Sequence, residues 1–444
     1  FVNPYMQKMD VTVAVLQLFI GVFLFPFVHT QPRPPKLVVL ILDGISRELL
    51  AKSDLPNVKR FIQEGAQIRT VIPQFPSIRT VNHYSMFTGL YPESHGVLMD
   101  KIFDPTRNEY LTFHDDEFYN YDPTVIPIWE SNDAKSSERN SNKITIRDMS
   151  EWVRATRENI DMMLNEVPPV NLLILDFPLV YETIQQEGSK SESAREALKQ
   201  VDIILGYVKD RLIYNGIFQM TNIIVTSTFG MIDVPKSHVI LTDFWGNATG
   251  KSPVLGLSNL KDNVNEVYNK INSKKDHFKV YLKRDIPGRY HFKNNERAPD
   301  ILVEAEESYV FQDFNGMAAG GYDNSLDAVQ TFMLARGPSF IPASSENTIS
   351  IVDIFPLMCR LLKIEAPPNN GTIELFYDVL KQVEDLKPPP SYRSFFIFLS
   401  IIITILGIFG IISLHKRYKN KKLQKIYSND STGVKNEEMY LFKK

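Results

Sequence analysis

KLVVLILDG, residues Lys36 to Gly44, is the stretch that decides the fold. It is a continuous apolar, β-branched run that ends in Asp-Gly, a pattern typical of a central parallel strand followed by a loop. The same pattern recurs in VNLLILDFP, residues 170–178, and in TNIIVTSTFG, residues 221–230. Between these runs, stretches at 54–64 and 191–212 have the apolar spacing of helices. This alternation predicts a doubly wound α/β fold with a mostly parallel sheet and helices on both faces.

A second, mixed pattern follows the three strands. From residue 252 to about 305, an amphipathic stretch at 264–271 precedes FKVYLKRD, whose alternation is typical of an edge strand. The pattern predicts a smaller α+β insertion within one domain, after which a strand-like TFMLARG and a helix at 352–362 complete the fold. The polar interval at 131–142 has the composition of an exposed surface loop.

The composition is that of a globular protein without a nucleic-acid partner. The chain has 444 residues, of which 43% are hydrophobic, and its formal net charge is −3. A chain of this length can bury a large core, and the lack of a basic excess argues against binding to nucleic acid. Cys359 is the single cysteine, so an intrachain disulfide is excluded and the fold depends on its core.

Two apolar runs near the ends predict the membrane topology. Val11 to Val28 is typical of a secretory signal peptide, which makes residues 1–30 a leader and signal peptide; an uncleaved anchor or a buried helix is the alternative. Phe395 to Leu414 is an uncharged run long enough to cross a bilayer as a helix. Lysines and arginines are concentrated behind it, so the positive-inside rule places the tail, residues 415–444, in the cytosol.

These runs predict a single-pass type I protein of the plasma membrane or of another secretory-pathway membrane. Its extracellular domain is expected at 31–380, joined to the membrane span by a proline-containing stalk at 381–394. Asn247 and Asn370 begin Asn-x-Thr sequons and are the predicted glycosylation sites.

Several ordered motifs resemble those of one family of enzymes. They are LDG at 42–44, LPN at 55–57, FPSIRTVNHYSMFTGLYPESHG at 75–96, YLKRDIPGRYHFKNN at 281–295, GGYDN at 320–324, LARGP at 334–338 and LMCRLLKIEAPPNNGT at 357–372. Together they resemble the ectonucleotide pyrophosphatase/phosphodiesterases of the alkaline phosphatase superfamily, from Lys36 to about Leu380. The resemblance implies an alkaline-phosphatase-like fold and, for active members, two zinc ions and a threonine that attacks phosphorus.

Most of the catalytic and zinc-binding side chains that the resemblance implies are replaced at the matching positions. Asp43 keeps the first zinc-ligand position, whereas the nucleophile position holds Arg79, and the position of an asparagine that binds the phosphoryl oxygen holds Asp100. The other ligand positions that the resemblance implies hold Leu179, Thr183, Thr228, Phe229 and Gly320. One of six ligand side chains is retained, so we expect no metal cofactor; two zinc ions held by replacement ligands are the alternative.

The missing residues predict a catalytically inactive homologue. We expect it to act at the cell surface by binding an extracellular protein or an anionic small molecule. The alternative is an active nucleotide phosphodiesterase or pyrophosphatase that uses replacement ligands. Thr80 offers the hydroxyl next to the nucleophile position, but we expect the turn after Arg79 to direct it elsewhere.

Two hypotheses describe Arg79. As a structural residue, it compensates the charges of Asp43 and Asp100 in place of a metal ion. As a binding residue, it receives an anion such as a phosphate or a carboxylate. Asp176, which ends the second strand, is predicted to be a strand-end cap, with a metal ligand as the alternative. His83 is predicted to have a packing and hydrogen-bonding role.

Overall fold

The structure is a computed structural model, and the described residues are 35–133, 141–145, 152–165, 170–234, 238–239, 248–274, 276–312, 314–381, 402–403, 405–410 and 412–424. The chain divides into two units, Phe1–Lys381 and Gln382–Lys444. The predicted signal peptide and residues 382–394 of the predicted stalk lie outside the described residues.

In the second unit, the described residues between 402 and 424 are helical. Within the described ranges, no helix combines the length and the apolar character needed to cross a membrane. The predicted span, Phe395 to Leu414, lies partly outside those ranges. The membrane span and the domain boundaries therefore stay predictions from the sequence.

The α-helices of the first unit lie at α1 (Arg47–Lys52), α2 (Pro56–Glu64), α3 (Arg79–Thr88), α4 (Pro92–His95), α5 (Asp116–Tyr119), α6 (Ile128–Asp133), α7 (Trp152–Asn165), α8 (Leu179–Glu187), α9 (Glu192–Tyr214), α10 (Val264–Asn272) and α11 (Ile354–Leu362). The strands lie at β1 (Lys36–Ile41), β2 (Ala66–Ile72), β3 (Lys101–Asp104), β4 (Glu109–Thr112), β5 (Ser141–Thr145), β6 (Leu172–Asp176), β7 (Thr221–Thr226), β8 (Ile232–Asp233), β9 (His238–Val239), β10 (Ala248–Lys251), β11 (Val254–Leu257), β12 (Phe278–Leu282), β13 (Ile301–Ala305), β14 (Val310–Phe311), β15 (Ala318–Ala319), β16 (Thr331–Arg336) and β17 (Ala343–Ser350).

Seven of these strands form the main sheet, in the order β17-β2-β16-β7-β1-β6-β5. β1 pairs in parallel with β6 and with β7, β5 pairs in parallel with β6, and β17 pairs in parallel with β2. β16 is the exception, because it runs antiparallel to both β2 and β7. The mostly parallel sheet predicted from the sequence is confirmed.

Helices cover both faces of this sheet because its central strand is apolar on both. Every residue of β1 is buried. Val38 and Leu40 pack with residues of α8 and α9, whereas Leu37, Val39 and Ile41 pack on the opposite face with residues of α3 and α11. A strand that is buried on both faces needs a continuous apolar run rather than an alternating one. The doubly wound arrangement is therefore confirmed.

A smaller antiparallel sheet contains β10, β11, β13 and β12, in that order. β12 lies at its edge, as the alternation in FKVYLKRD predicts, and Ile271 of α10 packs into the core of this sheet. The predicted α+β character is confirmed, although the first strand begins at Ala248 rather than at residue 252.

The prediction of an exposed loop at 131–142 is wrong at both ends of that interval. Ser131 and Asn132 are buried within α6, and β5 begins at Ser141. The side-chain amides of Asn132 and Asn171 exchange hydrogen bonds of 3.0 and 3.1 Å, which satisfies both polar groups in the interior. Composition alone does not show such pairing, so it cannot reveal that Ser131 and Asn132 are buried.

Candidate functional site

The candidate site lies where three neighbouring parallel strands end. Asp43 follows β1, Asp176 is the last residue of β6, and Thr228 follows β7. Because these strands are adjacent in the sheet, their carboxyl ends bring the three side chains to one edge, where α/β sheets bind ligands. Gly44 allows the chain to turn there: its φ is +85°, and a Cβ atom would lie 2.8 Å from the Cα atom of Tyr181.

Asp43 is fully buried and is bound on both oxygens. Its Oδ1 accepts hydrogen bonds from the backbone N–H and the hydroxyl of Thr228, at 3.1 and 2.6 Å. Its Oδ2 lies 2.6 Å from Nε2 of His83 and 3.3 Å from Nε of Arg79. Burial alone would raise the pKa of Asp43, but His83, Arg79 and Thr228 together lower it to about 2. The carboxylate is therefore held in its ionised form.

The guanidinium of Arg79 lies between two carboxylates. Its Nε contacts Asp43, and its Nη2 donates to Oδ2 of Asp176. The Arg79 side chain is 25% exposed, whereas both carboxylates are buried. Burial lowers the pKa of Arg79, but Asp176 and Asp43 outweigh it and raise that pKa. The predicted pair with Asp43 is present, and the second partner is Asp176 rather than Asp100 because β6 ends beside β1.

Asp176 has one satisfied and one unsatisfied oxygen. Oδ2 accepts from Arg79 and, at 3.1 Å, from the hydroxyl of Thr145. Oδ1 is buried and has no hydrogen-bond partner among the described residues. Asp176 is thus an ion-pair partner of Arg79, a role that the predicted strand-end cap did not include.

The side chain of Thr80 faces the site, so the prediction that it points elsewhere is wrong. Arg79 and Thr80 are the first two residues of α3, and both side chains line the same cleft. The Thr80 hydroxyl donates to Oδ1 of Asp100 at 2.6 Å. A helix start replaces the turn that the sequence suggested, so the two side chains stay at the same edge.

Phe229 and Gly320, at two of the ligand positions that the resemblance implies, fit against each other. The Phe229 ring is buried and packs edge-on against Tyr181, with ring centroids 5.7 Å apart. A Cβ atom on Gly320 would lie 2.7 Å from Cε2 of that ring and 2.9 Å from the carbonyl oxygen of Ser77. The large side chain therefore uses the space that the glycine leaves.

Leu179 and Thr183, two more of the ligand positions that the resemblance implies, lie on α8. The Thr183 hydroxyl donates to the carbonyl oxygen of Leu179 at 2.8 Å, within the helix itself. Neither residue is among the described residues that line the cleft. The structure thus brings Asp43, Arg79 and Thr228 together, places Asp100, Phe229 and Gly320 on the wall, and leaves these two aside.

The cleft above these residues has a volume of about 1180 Å³. Among its described lining residues, the cationic side chains are Arg79 and Lys251, and the carboxylates are Asp100, Asp122, Glu130, Asp176 and Glu182. The described wall therefore has an excess of negative charge.

Asp43, His83 and Asp176 form a cluster that could hold a metal ion. Each offers one ligand atom, and these atoms lie within 4.8 Å of one another. His83 sits one helical turn after Arg79 in α3, which explains why both reach Asp43. Arg79 contacts the two carboxylates of the cluster, so a cation already occupies the approach to them.

Comparison with known proteins agrees with this architecture. The sequence profile described as type I phosphodiesterase/nucleotide pyrophosphatase matches residues 37–146 and 128–327. The chain is 30% identical to the human bis(5′-adenosyl)-triphosphatase ENPP4 over 389 residues, which is 81% of this chain and 85% of that protein. This chain belongs to the ectonucleotide pyrophosphatase/phosphodiesterase family.

Two further members of the family support the assignment. Human ectonucleotide pyrophosphatase/phosphodiesterase family member 5 is 26% identical over 379 residues, 79% of each chain. The solved structure of murine ectonucleotide pyrophosphatase/phosphodiesterase 5, in an inactive variant with AMP bound, superposes with a TM-score of 0.72 at 25% identity. The superposed region covers 78% of this chain and 100% of the murine chain.

Sequence reasoning within this family missed the role of Asp176. Its signal was visible, since LILD at the end of β6 repeats the LILD that ends in Asp43.

Of the two predicted glycosylation sites, Asn370 is exposed and described, and its side-chain oxygen accepts from the Tyr91 backbone N–H at 3.0 Å. Asn247 lies outside the described residues.

Proposed function

We propose that this protein is a non-hydrolytic member of the family, which acts at a secretory-pathway membrane by binding an extracellular ligand or partner. The observation that carries the proposal is the position of Arg79. In the family resemblance this is the nucleophile position, and here its guanidinium pairs with two buried carboxylates. An arginine has no hydroxyl or thiol to attack phosphorus, and its charge is permanent.

The residues at the site do not fit a pair of zinc ions. Each zinc ion of a catalytic site needs about three protein ligands and an open position. Arg79 contacts Oδ2 of both Asp43 and Asp176, and the buried ring of Phe229 fills the space beside Gly320. Thr228 donates to Asp43 as well, so the retained ligand position is satisfied by protein donors. These contacts support a site that is stable without metal.

Metal content and hydrolysis test this proposal together. We expect the purified protein to hold well under one zinc per chain, because two of the three candidate ligand residues, Asp43 and Asp176, already pair with the guanidinium of Arg79. Elemental analysis after dialysis against a weak chelator measures the content. We also expect no hydrolysis of a dinucleoside triphosphate above the rate without protein, with human ENPP4 as the active control. Two zinc ions per chain together with zinc-dependent turnover would overturn the proposal.

The alternative, an active nucleotide hydrolase with replacement ligands, also has an observation in its favour. The Thr80 hydroxyl faces the cleft and donates to Asp100, a candidate base, and Asp43, His83 and Asp176 are a candidate metal cluster. Asp100 weakens this alternative, because an ionised carboxylate beside the nucleophile repels a phosphodiester. If hydrolysis is found, its loss in Thr80→Val would assign it to this alternative.

The anion predicted at Arg79 would have to compete with partners that are already in place. Nε and Nη2 of Arg79 already contact Asp43 and Asp176, so a phosphate would meet a guanidinium whose charge is largely compensated. The solved murine relative holds AMP in an inactive variant, so binding in this fold does not require turnover. We propose that binding is retained here and that the cleft recognises another class of ligand.

A further inference from the structure

The chemistry of the cleft points to a cationic ligand. We propose that the cleft binds a protonated primary amine with an apolar body, in preference to a nucleotide or another anion. This inference rests on the proposed function, since it names the ligand class of the same non-hydrolytic site. It follows from the charge of the wall, from an unsatisfied buried acceptor and from the aromatic side chains around them.

The carboxylates of the wall are largely uncompensated. Among the described residues, no lysine or arginine forms an ion pair with the following four members of the wall: Asp100, Asp122, Glu130 and Glu182. Lys251, the second cation of the wall, has its ammonium 5.9 Å from the ring centroid of Phe113. In a concave, partly dry site such an excess of like charge repels anions and attracts cations.

One buried acceptor at the base of the cleft lacks a hydrogen-bond donor among the described residues. Asp43 contacts both Arg79 and His83. Among the described residues, the cation that contacts Asp176 is Arg79. Asp176 is a residue of the cleft wall and is 1% exposed. In the described part of the chain, its Oδ1 has no hydrogen-bond partner. A buried acceptor without a donor is costly, and the N–H groups of an ammonium supply what is missing. A quaternary ammonium has the charge but no such donor.

Aromatic side chains also line the cleft. Tyr119, Tyr181 and Phe314 are among them, and rings of this kind attract cations and cover apolar groups. Burial raises the pKa values of Tyr119 and Tyr181, and the charge of Asp100 raises both further. A ligand with an ammonium at one end and an apolar body at the other matches this arrangement.

Four matched probes separate charge, hydrogen bonding and apolar contact. They are 2-phenylethylamine, its N,N,N-trimethyl analogue, 2-phenylethanol and 2-phenylethyl phosphate, measured by calorimetry on the full-length protein at pH 7. We expect the primary amine to bind about tenfold more tightly than the trimethyl analogue or the alcohol, and the phosphate to bind most weakly. An alcohol that binds as tightly as the amine, or a phosphate that binds more tightly, would overturn the inference.

Two variants test Asp100 and Asp176, the residues on which the proposed amine binding depends. Asp100→Asn keeps an acceptor for the Thr80 hydroxyl but removes the charge, so we expect the amine to bind about fivefold more weakly and the alcohol to be unaffected. Asp176→Asn should weaken the amine more strongly, provided that its thermal unfolding shows a folded protein. Glu346→Gln, in an exposed pair with Arg69, is the matched control and should change nothing. Unchanged amine affinity in Asp100→Asn contradicts the proposal even if Asp176→Asn does not fold.

Hydrolysis and ligand binding, measured on the same protein sample, distinguish a failure of this inference from a failure of the proposed function. Zinc-dependent hydrolysis of nucleotides would overturn the proposed function, and the amine inference with it. Absence of hydrolysis together with preferential binding of the phosphate probe would overturn the amine inference alone. Absence of hydrolysis together with binding of the amine supports both.

Discussion

Replacing Arg79 by Met is expected to lower the free energy of unfolding by about 3 kcal/mol at pH 7. The substitution keeps an apolar stem but leaves the buried carboxylates of Asp43 and Asp176 without their guanidinium. Asp43 retains its hydrogen bonds from Thr228, which places the expected loss at the lower end of the range for broken buried pairs. Urea titration of both proteins, followed by tryptophan fluorescence, measures the difference.

The loss of stability in Arg79→Met should also depend on pH, in the direction that the pKa of Asp43 determines. Its pKa is about 2 in the folded protein against an ordinary value of 3.8, so folding favours the ionised form. The resulting stabilisation is complete above about pH 4 and is lost as the pH falls towards 2. Because Arg79 contributes to the lowered pKa, the difference between wild type and Arg79→Met is expected to narrow below about pH 4.

A matched control separates this effect from the loss of any surface charge. Arg69 forms a pair with Glu346 in which both side chains are more than half exposed, at 56% and 78%. Arg69→Met should change the free energy of unfolding by less than about 0.5 kcal/mol. Equal losses at Arg69 and Arg79 would show that the guanidinium of Arg79 does not compensate the buried carboxylates.

Zinc gives the Arg79 experiment a second readout. Without the guanidinium, Asp43, His83 and Asp176 present three ligand atoms within 4.8 Å of one another. Added zinc is therefore expected to restore part of the lost stability in Arg79→Met, because a ligand that binds only the folded state stabilises it. Wild type should gain less, and Arg79→Met combined with Asp176→Asn should gain nothing. Equal gains in wild type and variant would contradict the competition between Arg79 and a metal ion.

How far the sequence predicts this site depends on the range of the contacts involved. The continuous apolar runs of β1, β6 and β7 identify buried parallel strands, and their polar carboxyl ends locate Asp43 and Thr228. Those features are local, so a single sequence contains them. The partner of Arg79 is not local: it follows from β6 lying beside β1, an order that the spacing along the chain does not determine. The sequence therefore predicts a compensating carboxylate but indicates Asp100 instead of Asp176.

The same reasoning explains the error at Thr80. Whether a hydroxyl follows its neighbour into a cleft depends on the backbone at that residue. The sequence suggests a turn after Arg79, but α3 begins at Arg79 itself. In the first turn of a helix, consecutive side chains at the rim of a cleft can both reach it, and Thr80 finds Asp100. Boundaries of helices are the least certain part of a sequence-based prediction, and this boundary decides the direction of the hydroxyl.

Phe229 and Gly320 should behave as one packing unit. Gly320→Ala is expected to lower the free energy of unfolding by about 2 kcal/mol, because its Cβ would lie 2.7 Å from the Phe229 ring. Phe229→Ala should cost about 3 to 4 kcal/mol, since the ring is buried beside Tyr181. In the double variant the added methyl group enters the space that the ring has left, so the combined loss should fall short of the sum by at least about 1 kcal/mol.

A glycine in open space provides the control for this cycle. A Cβ atom on Gly288 would have no neighbour within 4 Å, so Gly288→Ala should change the free energy of unfolding by less than about 0.5 kcal/mol. The double variant still has the carbonyl oxygen of Ser77, which would lie 2.9 Å from the Cβ atom of an alanine at position 320. This contact limits how much stability the removal of the Phe229 ring can restore. Strict additivity of the two losses would mean that Phe229 does not fill the space beside Gly320. The coupling we expect instead makes a histidine at position 320 alone costly, because the Phe229 ring fills the space that Gly320 leaves.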